Sequence, residues 1–91
     1  GNVQQTLQQL KDEGFWIVGV ENDVKEKVWY EIDYSGKVAI VVGSEGQGIR
    51  NLVRKRCDFL ATIPMQGQIK SLNVSAAVSA VLFERQRQIN A

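Results

Sequence analysis

Two stretches of the chain hold the residue types best able to do chemistry. In the first, Val38 to Val42 runs straight into Gly43-Ser44-Glu45-Gly46-Gln47-Gly48. In the second, Ile63-Pro64-Met65 is followed by Gly67 and then by Ser71-Leu72-Asn73-Val74-Ser75. A glycine-rich turn between a strand and a helix presents backbone N–H groups that can hold an anion or the polar edge of a ligand. The familiar nucleotide loops fit poorly. A dinucleotide fingerprint reads G-x-G-x-x-G, whereas the spacing here is G-x-x-G-x-G. Its ribose-binding acid, expected about 20 residues on, is replaced by Ile63-Pro64-Met65. A P-loop needs Gly-Lys-Ser/Thr, which is absent. Taken alone, the first loop is equally well explained as a tight turn whose glycines permit positive φ. The second stretch adds another strand end, another loop and another helix start. In a parallel sheet both loops leave the carboxyl ends of their strands, where ligands bind. A cleft with an apolar floor and backbone hydrogen bonds suits an adenine and a thioether better than a triphosphate. Ser71 and Asn73 are also common helix-capping types, a role compatible with ligand contact.

The elements that must position these loops follow from apolar periodicity. Val3, Leu7 and Leu10 recur at helical spacing, with Gly14 as the expected C-cap. Phe15 to Val20 and Val38 to Val42 are apolar runs of strand length, and Phe59 to Ile63 is a third, stopped by Pro64. Residues 21–37 are charged and mixed and predict a loop with one short helix around Val24 to Tyr30. Ile49 to Cys57 predicts a short amphipathic helix with Ile49, Leu52 and Val53 on its apolar side. Arg50 and Arg54 lie one turn apart on it. Residues 72–87 predict a helix apolar nearly all round until Glu84, which must be covered on more than one side. Continuous apolar strands separated by helices imply an α/β domain with a parallel sheet covered on both faces. Three strands, with none before the first helix, suggest a piece of something larger.

Composition narrows the chemistry. The 91 residues suffice for one small domain. A net charge of +1 gives no global attraction to nucleic acid, so RNA binding would need a local patch. Arg50, Arg54, Lys55 and Arg56 form such a run, although a solvated basic face has the same pattern. The chain has no histidine, which removes Ser-His-Asp triads and the usual zinc sites, and no metal is expected. Cys57 is the only cysteine, so no intrachain disulfide can form and a reducing, cytoplasmic setting is expected. No apolar run approaches the roughly 18–20 residues that span a bilayer.

The two stretches together resemble the second and third motifs of the SpoU family of RNA 2′-O-ribose methyltransferases, in the SPOUT class. They are Val41-Val42-Gly43-Ser44-Glu45-Gly46-x-Gly48-Ile49 and Ile63-Pro64-Met65-x-Gly67-x-x-x-Ser71-Leu72-Asn73-Val74-Ser75. Phe15 to Val20 and Leu82-Phe83-Glu84-x-x-Arg87-Gln88 look like the same family, and the subgroup they look most like methylates guanosine of bacterial 23S rRNA. The resemblance implies a three-layer α/β domain with a C-terminal trefoil knot, here in part, and a homodimer with the last helix in its interface. It implies S-adenosylmethionine as cofactor, held largely by backbone atoms around Gly43, Ile63 and Leu72, with Met65, Gly67 and Ser71 close by. Glu45 and Asn73 match polar positions that support the catalytic centre, and RNA, ribosomal ahead of transfer RNA, is the implied substrate. The family's first motif, an Asn and an Arg, has no match, because Asn2 stands without the downstream arginine. The main catalytic arginine and upstream strands are therefore expected outside residues 1–91. Two other readings remain open at this point: a catalytically dead paralogue that keeps an RNA- or cofactor-binding module, and a different α/β nucleotide-binding domain.

Overall fold

Asn2 starts the first helix by accepting the amide N–H of Gln4 on its side-chain oxygen at 2.8 Å, satisfying one of the donors a helix start leaves free. The computed structural model describes residues 2–21, 27–43, 49, 51–62 and 73–90. Helix α1 spans Val3–Asp12 and ends as its sequence anticipates. Gly14 takes φ +92°, its N–H bonds Lys11 O at 2.9 Å, and Phe15 N–H bonds Leu10 O at 2.9 Å. These two bonds form a Schellman closure, which favours glycine at the left-handed position.

Strand β1 (Trp16–Glu21) follows directly, then β2 (Lys27–Val28), a 3-10 turn (Trp29–Glu31) and β3 (Val38–Val42). Helix α2 (Asn51–Arg54), β4 (Phe59–Thr62) and α3 (Asn73–Asn90) complete the order. The sheet runs β2-β4-β1-β3 and every pairing is parallel. The expected α/β class and parallel sheet are therefore present. Two details differ. The sheet has a fourth strand, β2, whose two residues are too short to show any periodicity. Where a helix around Val24 to Tyr30 was expected, the described part is this strand and the 3-10 turn.

The alternation along β1 sorts the layers. Val18 and Val20 share one face with Ala61, Ile32 and Tyr34, and α3 covers that face with Ala77 and Val81. Ile17 and Gly19 point to the other face, where Ile49 and Cys57 approach Gly19. Helix α1 lies on this second side, joined to the segment after α2 by a 2.7 Å hydrogen bond from Arg56 Nη1 to Gln8 Oε1. At the head of β4, Asp58 both donates its N–H to Ile17 O and accepts Ile17 N–H on its carboxylate, each at 2.7 Å. That double bond fixes the register of β4 on β1.

The helix expected over Ile49 to Cys57 is shorter. After Arg54 the chain tightens into i→i−3 bonds, Arg56 N–H to Val53 O at 3.0 Å and Cys57 N–H to Arg54 O at 3.1 Å. Its apolar side also differs, because Ile49, Val53 and Cys57 follow the i, i+4, i+8 row toward the sheet and Leu52 is left 58% exposed. Helix α3 runs to Asn90, beyond the expected end. Its sheet side buries Val81, at 1% exposure, while Leu82 and Phe83 remain 52% and 75% exposed. Val81 therefore belongs to this chain's own core.

Candidate functional site

Parallel pairing brings the ends of three strands to one edge. Val20 pairs with Val42 and Glu21 with Thr62, so β1, β3 and β4 finish level. The chain leaves β3 at Gly43 and β4 at Thr62, on either side of β1. With neighbouring strands about 4.8 Å apart, the two exits are separated by about 10 Å. That span suits a ligand laid across the carboxyl ends of the sheet.

Helix α3 is oriented toward the same edge. Its far end bonds the segment just before β3, with Arg85 Nη1 reaching Gly36 O at 2.8 Å. The helix therefore runs opposite to β3. Its 18 residues extend for about 27 Å, longer than β3, and its first residue, Asn73, lies toward the edge where β3 ends. Beneath this edge are Val20, buried, and Val42, half-buried. Gly43 is half-buried and offers only backbone. The described residues of this border, Val20, Val42 and Gly43, offer apolar surface and main-chain hydrogen-bonding groups.

Of the cofactor-site residues read from sequence, Gly43 stands at this edge, while Ile63, Met65, Gly67, Ser71 and Leu72 lie outside the described residues. Glu45 lies outside them too, and Asn73 is placed by its backbone as the first residue of α3. Among the RNA-contact residues, Arg50 is outside the described set, Arg54 is half-buried as the last residue of α2, and Lys55 is exposed. Arg56 is turned to Gln8, so Lys55 is the one of these described cations that is openly solvated. Among the described residues there is no cluster of His, Cys, Asp and Glu able to hold a metal, and no helix long and apolar enough to cross a membrane.

At the opposite end of the sheet is a network that sequence reasoning did not assemble. Glu84 is buried, at 7% exposure, and receives Arg87 through two bonds of 2.9 and 2.8 Å and Gln88 Nε2 at 2.8 Å. Arg87, then Gln88, hold its carboxyl down to about 2 by donating to the charged form. The fully buried Tyr34 donates its hydroxyl to Trp29 O. Burial, then the nearby Glu84 charge, pushes the Tyr34 phenol up to about 12. The pattern Glu84-x-x-Arg87-Gln88 was visible in sequence, but its target, residues 32–36, reads there only as loop.

Comparison with known proteins bears on the family and the fold. The pattern of the SpoU rRNA Methylase family matches residues 1–83. The chain is 51% identical over 87 residues to the 23S rRNA (guanosine-2'-O-)-methyltransferase RlmB of Coxiella burnetii, covering 96% of this chain and 34% of that relative. It thus spans about a third of the length of the curated relative it matches. Among solved structures it is similar to the A. aeolicus TrmH/SpoU tRNA modifying enzyme, with TM-score 0.82 and 38% identity over 96% of this chain and 44% of that one. It is also similar to the SpoU methyltransferase AviRb from Streptomyces viridochromogenes in complex with AdoMet. That TM-score is 0.75, with 28% identity over 94% of this chain and 33% of that one.

Proposed function

The chain belongs to the SpoU rRNA methylase family, and from that premise we propose that it forms the cofactor-binding part of an enzyme methylating the ribose 2′-hydroxyl of RNA, ribosomal RNA first. The observation carrying this reading is the shared carboxyl edge, where β3 ends at Val42 just before Gly43, β4 ends at Thr62, and α3 starts at Asn73. S-adenosylmethionine is the cofactor whose chemistry suits that edge, supplying an electrophilic methyl on sulfur. The AdoMet complex of AviRb supports the assignment.

The chain's own contribution is to hold and to align. Gly43, Ile63 and Leu72, with Met65, Gly67 and Ser71 close by, bind the cofactor chiefly through main-chain groups. Glu45 and Asn73 orient the ribose and the arginine that activates its hydroxyl, contributed from outside residues 1–91. Alignment of the hydroxyl oxygen opposite the sulfur leaving group is worth much of the rate, since oriented reactants gain effective molarities of up to about 10⁵–10⁸ M. Arg50, Arg54 and Lys55 follow the glycine loop and contact RNA phosphates, with the exposed Lys55 best placed.

Two larger assemblies belong to the same reading. A homodimer covers the outer side of α3, where Leu82, Phe83 and Ile89 are exposed at 52%, 75% and 47%. Upstream strands extend the sheet at β3, which has no outer neighbour among the described residues. A cleft of about 320 Å³ lies there, lined by Phe15, Tyr34, Val38, Ile40, Val81 and Arg85. The trefoil knot, formed by passing the C-terminal segment beneath the preceding loop, completes the fold around the cofactor.

The test is incorporation of tritiated methyl from S-adenosylmethionine into total ribosomal RNA by the native polypeptide that carries residues 1–91, followed by mapping of the modified position. Label on a ribose 2′-oxygen is expected. Cofactor binding without transfer would replace the enzyme with a silent binding module, and label on a base would overturn the reaction assigned.

A further inference from the structure

The end of α3 remote from the proposed site makes a set of contacts that resembles strand pairing. Gln88 Nε2 donates to Ile32 O at 2.8 Å, and Gln88 Oε1 accepts from Tyr34 N–H at 2.7 Å. Arg85 Nη1 continues the row, donating to Tyr34 O and, at 2.8 Å, to Gly36 O. The groups held are backbone groups of residues 32, 34 and 36, alternate residues of the segment that leads into β3. A glutamine side chain ends in an amide, so Gln88 presents to this segment the one donor and one acceptor that a residue of a neighbouring strand would. Glu84 Oε2 accepts from the same Gln88 Nε2 at 2.8 Å, which fixes the amide's orientation, and Arg87 in turn holds Glu84.

We infer that Gln88 and Arg85 are positioning residues for the methyl-transfer site, setting by these contacts how α3 lies along β3. The held segment runs directly into β3, whose other end carries Gly43, and α3 begins at Asn73. Between lock and site lies the contact of Ala77 and Val81 with the sheet. Asn73 is eight residues before Val81 and Gln88 seven after, about 12 and 10 Å of helix respectively. A tilt about Val81 therefore moves the head of the helix about as far as its foot. The small apolar residues at the fulcrum give burial without direction, because hydrophobic contact is non-directional. The hydrogen bonds at the foot supply the direction. A displacement of about 1 Å at a reacting centre can cost about 10²-fold in rate, so a lock this far from the chemistry still governs it.

This inference rests on the proposed placement of Gly43 and Asn73 at the site, and its test separates the two. Gln88→Met keeps the side-chain volume and removes the amide, and Arg85→Lys keeps one donor. In the native polypeptide, Gln88→Met should shift the backbone amide resonances of Gly43 and Asn73 as well as those of residues 32–36. It should lower kcat by about 10–10²-fold with little change in KM, at a temperature where circular dichroism shows it folded, and Arg85→Lys should lie between it and wild type. Shifts confined to residues 27–36 and 84–90, or a kcat equal to wild type, would overturn the lock. A wild-type protein that fails to bind S-adenosylmethionine would instead overturn the functional reading, and the resonance shifts would still decide the coupling.

Discussion

Gly19 is in the middle of β1 with no unusual backbone, so the reason for glycine there is space. A β-carbon added to it would lie 2.8 Å from Cys57 Sγ, 3.0 Å from Ile49 Cδ1 and 3.0 Å from Leu60 Cδ2. Non-bonded carbons rest comfortably at about 3.5–4.0 Å, so Gly19→Ala overlaps on three sides by about 0.5–1 Å. A buried methyl contributes about 0.8 kcal/mol, and leaving glycine in a strand gains about 0.5–1 kcal/mol. Overpacking costs about 1–3 kcal/mol, and three simultaneous overlaps in a hydrogen-bonded sheet place this case near the top of that range. The net expectation is a loss of about 1 kcal/mol, or a fall in Tm of about 4–8 °C. Thermal unfolding followed by circular dichroism measures it directly. The overlap with Cys57 is the tightest, so Cys57→Ala in the same chain should restore part of the loss, with a coupling of about 0.5–1 kcal/mol. A Gly19→Ala protein as stable as wild type, or a strictly additive double variant, would show that Cys57, Ile49 and Leu60 do not press on Gly19 as described.

Other expectations follow from the same structure. Gly14→Ala meets no neighbour but must adopt φ +92°, so it should cost about 1–2 kcal/mol in thermal unfolding, while Gly14→Asn should cost less. Val81→Ala empties a site at 1% exposure and should cost about 2 kcal/mol by urea unfolding. Glu84 ionises at about 2, against 4.5 in a free chain, so its contribution is complete above about pH 4.5 and disappears as pH falls through about 2. Glu84→Gln should flatten that part of the stability profile. Tyr34, raised to about 12 from 10.0, acts in the opposite sense, contributing fully below about pH 10 and losing its effect as pH rises through about 12. The wild type should therefore lose stability between about pH 10 and 12, and Tyr34→Phe should lack that fall.

Strands and helices with long apolar periods were legible in the sequence: α1 with its Gly14 closure, β1, β3, β4 and α3 all stand within a few residues of expectation. What escaped was either too short or held from afar. The pairing of Lys27 and Val28 with β4 has no local signal, and α2 shrank to one turn because the bonds after Arg54 tighten toward Asp58. The segment from Ile32 to Gly36 reads as loop because its hydrogen bonds go to side chains of α3 more than 45 positions away. Of the two loop motifs only Gly43 and the backbone of Asn73 fall among the described residues, and the level ends of β3 and β4 that precede the loops follow from parallel strand pairing. Asn2, expected only as an unmatched motif residue, is a helix cap.

The central claim is that the carboxyl edge marked by Gly43 is where the cofactor binds. Calorimetric titration of S-adenosylmethionine into the native polypeptide carrying residues 1–91, beside its Gly43→Val variant, tests it most directly. One site per chain is expected in the parent and none in a Gly43→Val protein that remains folded, because the added side chain blocks close approach of the ligand to the backbone. Binding that survives the substitution, or a folded parent that takes up no cofactor, would contradict the account.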